Sequence, residues 1–136
     1  MGKEKIIETL NKIRVEELTA IMQYLQHHYL AKGINSPTVA ELFKELSITE
    51  MKHAYALAER ITALGGVPTT KIDKLNVPEK LEDMIRVNYE VEKTAIEDFK
   101  GYIKEVSEDI TTTRMLEDIL ADEEDHADEL RKLLEK

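Results

Sequence analysis

At 136 residues the chain is long enough for one domain with a proper core, and 42% apolar residues with only five Gly and three Pro favour long helices. A net charge of -9 argues against nucleic acid or an anionic membrane as partner, and the lack of cysteine excludes disulfides, thiolate zinc sites and the usual iron–sulfur clusters. No apolar secretory run follows Met1-Gly2-Lys3-Glu4-Lys5 and no stretch approaches ~20 apolar residues, so a soluble cytoplasmic protein is expected.

Residues from about 4 to 33 read as one long helix, with the stripe Leu10, Ile13, Glu17, Ala20, Tyr24 and a stop at Gly33 and Asn35. Glu17 is a carboxylate in a core position. Ser36-Pro37 opens the second helix, with Ser as N-cap and Pro at the first helical position. Its apolar residues recur at Val39, Phe43, Leu46, Leu57, Ile61 and Leu64, in steps of three and four, and Glu50 and His53 fall on the same stripe. Gly65-Gly66 ends it. Residues 65–77, with Pro68 and a Thr pair, read as a connection long enough to cross from one end of a bundle to the other. Pro78 opens a third helix to about Val106, with the stripe Leu81, Ile85, Asn88, Glu92, Ala95, Phe99, Tyr102. After capping residues at 107–109, a fourth helix runs from about Ile110 to near the end, where Leu116, Ile119, Leu130 and Leu133 flank Glu123 and His126. No room remains for a fifth helix of any size.

Four helices, two short connections and a long crossover between helices two and three predict an all-α antiparallel four-helix bundle over residues 1–136. Glu-x-x-His places both side chains on one face of a helix, and here that face is the one to be buried. Burying unpaired carboxylates is prohibitively unfavourable, so positive charge must accompany them. One Glu from each of two helices, with Glu-x-x-His from each of the others, is the ligand inventory of di-iron and di-manganese carboxylate bundles. Four carboxylates balance two divalent ions. Glu50 and Glu123 are expected to bridge, Glu17 and His53 to complete one ion, and Glu92 and His126 the other. Open positions remain for O₂ or peroxide, and mixed carboxylate and imidazole donors suit iron or manganese. Asp122 and Asn88 are placed to orient the histidines.

Simpler readings exist for these residues. In a Glu-rich chain, Glu precedes His by three residues by chance as well, and a core His beside Glu is otherwise a hydrogen-bonded pair. Register favours ions, because six polar side chains lie on core stripes with one set per helix. Tyr24 reads as a core tyrosine bonded to a carboxylate. His27 and His28 read as surface or bundle-end histidines, and 122–125 as a solvated acidic face apart from Glu123. A second apolar stripe, Leu18, Ile21, Met22, Leu25 and Tyr29 with Ile48, Met51, Tyr55 and Ala58, points to packing against another subunit.

In these segments, Glu16-Glu17-Leu18-Thr19-Ala20-Ile21-Met22-Gln23-Tyr24, Thr49-Glu50-Met51-Lys52-His53-Ala54, Met84-Ile85-Arg86 leading to Glu92, and Ile119-Leu120-Ala121-Asp122-Glu123-Glu124-Asp125-His126, the chain resembles the bacterioferritin family of the ferritin-like superfamily. The resemblance implies that Glu17, Glu50, His53, Glu92, Glu123 and His126 form a ferroxidase centre holding two iron ions per subunit. It further implies that Met51 is a haem ligand, one from each subunit across a two-fold axis, with Met22, Leu18 and Leu25 lining a pocket for a b-type or related porphyrin. The family's short fifth helix has no counterpart, which makes twelve subunits as natural an expectation as twenty-four. Glu45 and Thr49 stand where the family's inner-surface iron site has His and Asp, so the resemblance does not extend to an electron route there.

The expected function is oxidation of Fe(II) by O₂ or peroxide, with ferric iron retained in a shell built from two-fold dimers. A rubrerythrin-like peroxidase without its rubredoxin part, and a non-catalytic ferritin-like structural protein, are the rival expectations.

Overall fold

A computed structural model describes residues 2–135, so the domain bounds 1–136 reach one residue beyond it at each end. Four helices account for the regular structure: α1 (Gly2–Leu30), α2 (Ser36–Ala63), α3 (Leu81–Glu105) and α4 (Ile110–Leu134). There is no strand among the described residues. α1 pairs with α2 and α3 with α4, each across a short turn, while α1 also meets α3 and α2 meets α4 along thinner seams. The all-α four-helix expectation therefore holds.

Residues 64–80 form the crossover, which is laced to α1 along its length. Asn11 Nδ2 donates to Val67 O at 3.1 Å and Arg14 Nε to Thr69 O at 2.9 Å. Further along, the Asp73 amide donates to Thr19 Oγ1 and the Asn76 amide to Gln23 Oε1, both at 2.9 Å. The chain thus travels from the start of α1 to its end before α3 begins, which makes α3 antiparallel to α1. Thr9 Oγ1, near the start of α1, accordingly donates to Glu105 at the end of α3.

Helix ends differ from expectation at three points. α1 stops at Leu30, three residues early, and both Gly33 (φ 102°) and Asn35 (φ 71°) adopt left-handed backbone in the turn. Ser36 is not a cap. The cap position is Asn35, which makes no side-chain cap bond, while Pro37 does lie in the first turn. α3 starts at Leu81 rather than Pro78, because Asn76 is tied to α1 through both its amide and its carbonyl and holds the chain extended there. Asp109 caps α4 by accepting from the Thr112 amide, and Arg60 pairs with it at 2.7 Å.

The core is divided. One apolar cluster holds Ile6, Leu10, Ile13, Leu57, Ile61, Phe99, Val106, Leu116 and Ile119. The other holds Tyr24, Val39, Phe43, Leu46, Met84, Ile85 and Leu130. Every interrupted position of the four stripes lies between them. Ile21, expected on the outer apolar face, is buried instead, and Leu133 is exposed while Leu134 packs against the second cluster, so the α4 stripe continues from Leu130 to Leu134 rather than to Leu133.

Leu57 is fully buried in the first cluster, so Leu57→Ala is expected to cost about 3 kcal/mol, through lost transfer energy and the cavity left behind. Urea unfolding at fixed protein concentration measures this, with the midpoint falling and the slope unchanged.

Candidate metal centre

Each helix carries its polar side chain inward on an otherwise apolar face, so the six meet in one layer. Glu17, Glu50, Glu92 and Glu123 are 1–3% exposed and His53 and His126 are 5% exposed. They form two overlapping groups: Glu17, Glu50, His53 and Glu123, and then Glu50, Glu92, Glu123 and His126. Within each, one donor atom from every residue lies within 4.8 Å of all the others. Glu50 and Glu123 belong to both, so the geometry offers two adjacent positions for an ion sharing two carboxylates.

Contacts within the layer are either too long or too poorly directed to be ordinary hydrogen bonds. His53 Nδ1 stands 3.3 Å from Glu123, 3.5 Å from Glu17 and 3.6 Å from Glu50. His126 Nδ1 stands 3.1 Å from Glu50 and 3.6 Å from Glu92. Glu17 Oε2, Glu50 Oε1, His53 Nδ1, Glu92 Oε2, Glu123 Oε1 and His126 Nδ1 are all buried without a hydrogen-bond partner. Orphaned buried polar atoms are rare in folded proteins, and here each of the six residues supplies one. They are hard oxygens and imidazole nitrogens, the donors of iron and manganese sites.

A surrounding shell orients some of them. His53 Nε2 donates to Asp122 at 2.7 Å, which fixes the tautomer and leaves the Nδ1 lone pair facing the carboxylates. Tyr24 O–H donates to Glu92 at 2.8 Å, as a core tyrosine should. One expectation fails and another, the surface or bundle-end placing of His27, is narrowed. Asn88 does not reach either central histidine; it donates to His27 Nδ1 at 2.7 Å and accepts from Gln23 at 3.0 Å. His27 is not at the surface. It is fully buried and donates through Nε2 to Asn76 O at 2.9 Å, joining α1, α3 and the crossover. The signal was present, since His27 continues the stripe of Ala20 and Tyr24 by one more step of three.

The match to known proteins is extensive. The Ferritin family, described as a ferritin-like domain, matches residues 7–136. Bacterioferritin of Desulfovibrio desulfuricans is 38% identical over 127 residues, covering 91% of this chain and 71% of that one. Bacterioferritin of Streptomyces coelicolor is 35% identical over 137 residues, covering 98% and 82%. The chain is a member of the bacterioferritin family. Among solved structures, the D. desulfuricans bacterioferritin, described with its diiron site in different catalytic states, superposes with a TM-score of 0.92 at 35% identity, covering 97% of this chain and 79% of that one. A ferritin-like, diiron-carboxylate protein from Bacillus anthracis gives 0.92 at 29% identity, covering 98% and 97%.

Protons stand in for positive charge in this chain when metal is withheld. Burial, then Glu50 and Glu92, pushes the Glu123 carboxyl well above its ordinary range. Burial lowers His126, but Glu50 and Glu92 outweigh it and raise the imidazole from 6.5 to about 9; His53 is raised likewise by Glu50 and Asp122. Burial also opposes ionisation of Glu50, yet the two histidines carry it below its usual value. Burial, then Asp98 and Asp73, lifts Glu16 from 4.5 to about 8.

Folded pKa values above the unfolded ones mean stability that is present at low pH and lost as pH rises through the folded value. The metal-free protein is therefore expected to lose melting temperature steadily from pH 6.5 to 9, as His126 and Glu16 release their protons. Glu50, with its lowered pKa, is ionised throughout that window and contributes no slope. Excess Mn(II) should reverse the trend, because metal competes with protons for these atoms. Thermal melts with chelator and with Mn(II) measure both slopes, and a metal-free melting temperature that rises with pH contradicts this account.

Proposed function

We propose that this chain oxidises Fe(II) and stores the ferric product, with Glu17, Glu50, His53, Glu92, Glu123 and His126 as the ligands of the two iron ions. The six orphaned donor atoms carry this reading. They demand cations, and two compact groups sharing Glu50 and Glu123 suit a pair of ions. Fe(II) is the substrate here: each of two ions gives up one electron to O₂ or peroxide, which takes up protons. Glu50 and Glu123 bridge, Glu17 with His53 and Glu92 with His126 complete the two coordination spheres, and Asp122 holds the His53 ring in its coordinating tautomer. Carboxylates favour the ferric state and so pull the oxidation forward.

The outer apolar face supports packing against a second subunit, and we read the assembly as two-fold dimers joined into a shell of twelve or twenty-four subunits in the cytoplasm. Tyr29 and Tyr55 are 73% and 67% exposed on it, beside exposed Met22 and Ile48 and half-buried Leu18, Leu25 and Met51. A thioether among apolar side chains suits a haem between two subunits, which Met51 would ligate and Met22, Leu18 and Leu25 would bed. Bound there, haem would supply one-electron transfer, and the chain's own contribution is an apolar bed and a soft ligand. Among the described residues no helix is long and apolar enough to cross a membrane.

Glu50→Ala removes a ligand shared by both ions and is expected to slow Fe(II) oxidation by about 100-fold or more. Stopped-flow absorbance of the ferric product measures it, and a rate matching the parent overturns the site. Met51→Leu is expected to lose the thioether-ligated haem bands after reconstitution, whereas an unaltered spectrum removes Met51 as the ligand.

A further inference from the structure

Near its end the crossover is held to the bundle by hydrogen bonds that close into a circuit. The Asn76 amide donates to Gln23 Oε1 at 2.9 Å, and Gln23 Nε2 donates to Asn88 Oδ1 at 3.0 Å. Asn88 Nδ2 then donates to His27 Nδ1 at 2.7 Å, and His27 Nε2 to Asn76 O at 2.9 Å. The circuit begins and ends on one backbone residue. A backbone amide can only donate and a carbonyl only accept, so both ends have a fixed sense. His27 must therefore carry its proton on Nε2. Asn88 must turn its NH₂ to the imidazole, and Gln23 must turn its NH₂ to Asn88. Each member donates once and accepts once, all in one direction.

Such a circuit has no place for a further proton. Once protonated, His27 Nδ1 is a donor facing the Asn88 NH₂. Turning Asn88 over relieves that clash but sets its NH₂ against that of Gln23. Turning Gln23 over then sets an NH₂ against the Asn76 N–H, which cannot reverse. Solvent does not repair the mismatch, because Gln23, His27 and Asn88 are only 5%, 0% and 1% exposed, and a buried donor without an acceptor bears its full desolvation cost. The crossover is the part that gives way. α1 and α3 are held by their own backbone bonds, whereas residues 64–80 contain no helix or strand and lean on side chains of α1.

No acidic side chain favours the extra proton. Against the His27 ring stand Phe43 of α2, Asn88 of α3 and Asn76 of the crossover, none of them titratable, and α4 brings Leu130 to the adjoining apolar cluster. The titratable neighbours on α1 are Tyr24, bonded to Glu92, and His28, bonded to Ala40 O. Lys74 of the crossover, with Asp83 and Arg86 of α3, lines the cavity instead, and Glu79 pairs with Lys32. Burial therefore holds the His27 imidazole below its ordinary 6.5, and the Asn76 carbonyl opposes this only in part.

We propose that the circuit is an acid-released clasp: one proton taken up by His27 frees the crossover around Asn76, which with Asp73, Lys74 and Pro78 forms one wall of a cavity of about 730 Å³ between α1 and α3. A lowered folded pKa means that the clasp is intact above 6.5 and weakens as pH falls below it. The central layer has the opposite sign, since Glu123 and His126 are raised and the layer gains from acid. A loss confined to the crossover therefore does not originate there. The clasp is independent of which ions the centre holds.

Hydrogen exchange of the intact protein, read by mass spectrometry and normalised to the intrinsic amide rate at each pH, tests this. In the parent, protection of peptides spanning 72–78 is expected to fall about tenfold from about pH 7.5 to 5.5, the limit for one imidazole with an ordinary value of 6.5 in the open form, while peptides within α2 and α4 keep theirs. Asn88→Asp offers one oxygen to Gln23 Nε2 and the other to protonated His27 Nδ1, so the circuit closes with the extra proton in place and protection should hold at the lower pH. His27→Gln has nothing to titrate and should show one level of protection, high or low, at both. Parent exchange at 72–78 that ignores pH, or that rises together with the helices, overturns the clasp. So does an Asn88→Asp or His27→Gln protein that loses protection in acid as the parent does.

Discussion

Four glutamates face one another in the interior of this bundle, and the protein brings only two imidazoles to meet them. Among the described residues no Lys or Arg pairs with a carboxylate of the layer. Two like charges about 4 Å apart repel by roughly 4 kcal/mol even at an effective dielectric constant of about 20. Protons or metal ions must therefore complete the interior. The two apolar clusters on either side act as clamps: they close the helices around a layer that would otherwise push them apart. Removing one member of such a layer does not simply delete a contact, because the remaining charges lose their balance.

The crossover determines which side chains meet. A long segment without secondary structure must satisfy its backbone polar groups somewhere. Here α1 supplies the partners, from Asn11 and Arg14 at one end to Gln23 and His27 at the other. Carried the length of the bundle, the chain begins α3 beside the end of α1, and the antiparallel pairing that follows sets Glu92 in the same layer as Glu17. The buried Gln23–Asn88–His27 chain fastens the two helices one turn away from Glu92.

The seams of the bundle are unequal. α1 and α2 pack closely, and so do α3 and α4, whereas the α1–α3 seam holds the cavity. That looseness gives the centre its contact with solvent. The crossover closes one side of the cavity through Asp73, Lys74 and Asn76, so the segment that fixes topology also shapes access to the buried ligands.

Much of this was legible in the sequence. Apolar steps of three and four located all four helices, and the same periodicity exposed Glu17, Glu50, His53, Glu92, Glu123 and His126 as misfits on buried faces. Periodicity reports which face of a helix is buried, and these misfits were visible for that reason. It does not report what a buried side chain touches. Asn88 was placed on the right stripe but given the wrong partner. His27 was assigned to the surface or the bundle end although it continued the stripe, since one polar residue at a helix end looks the same in either environment. Pro78 looked like a helix start because its φ suits one, while the bonds from α1 that keep the chain extended there join residues some fifty positions apart. The sequence alone thus determined the number of helices, their buried faces and the chemistry they carry inward; only the tertiary structure decided which side chains share a hydrogen bond, a charge or a cavity, because those relations depend on distances between segments that no local pattern encodes.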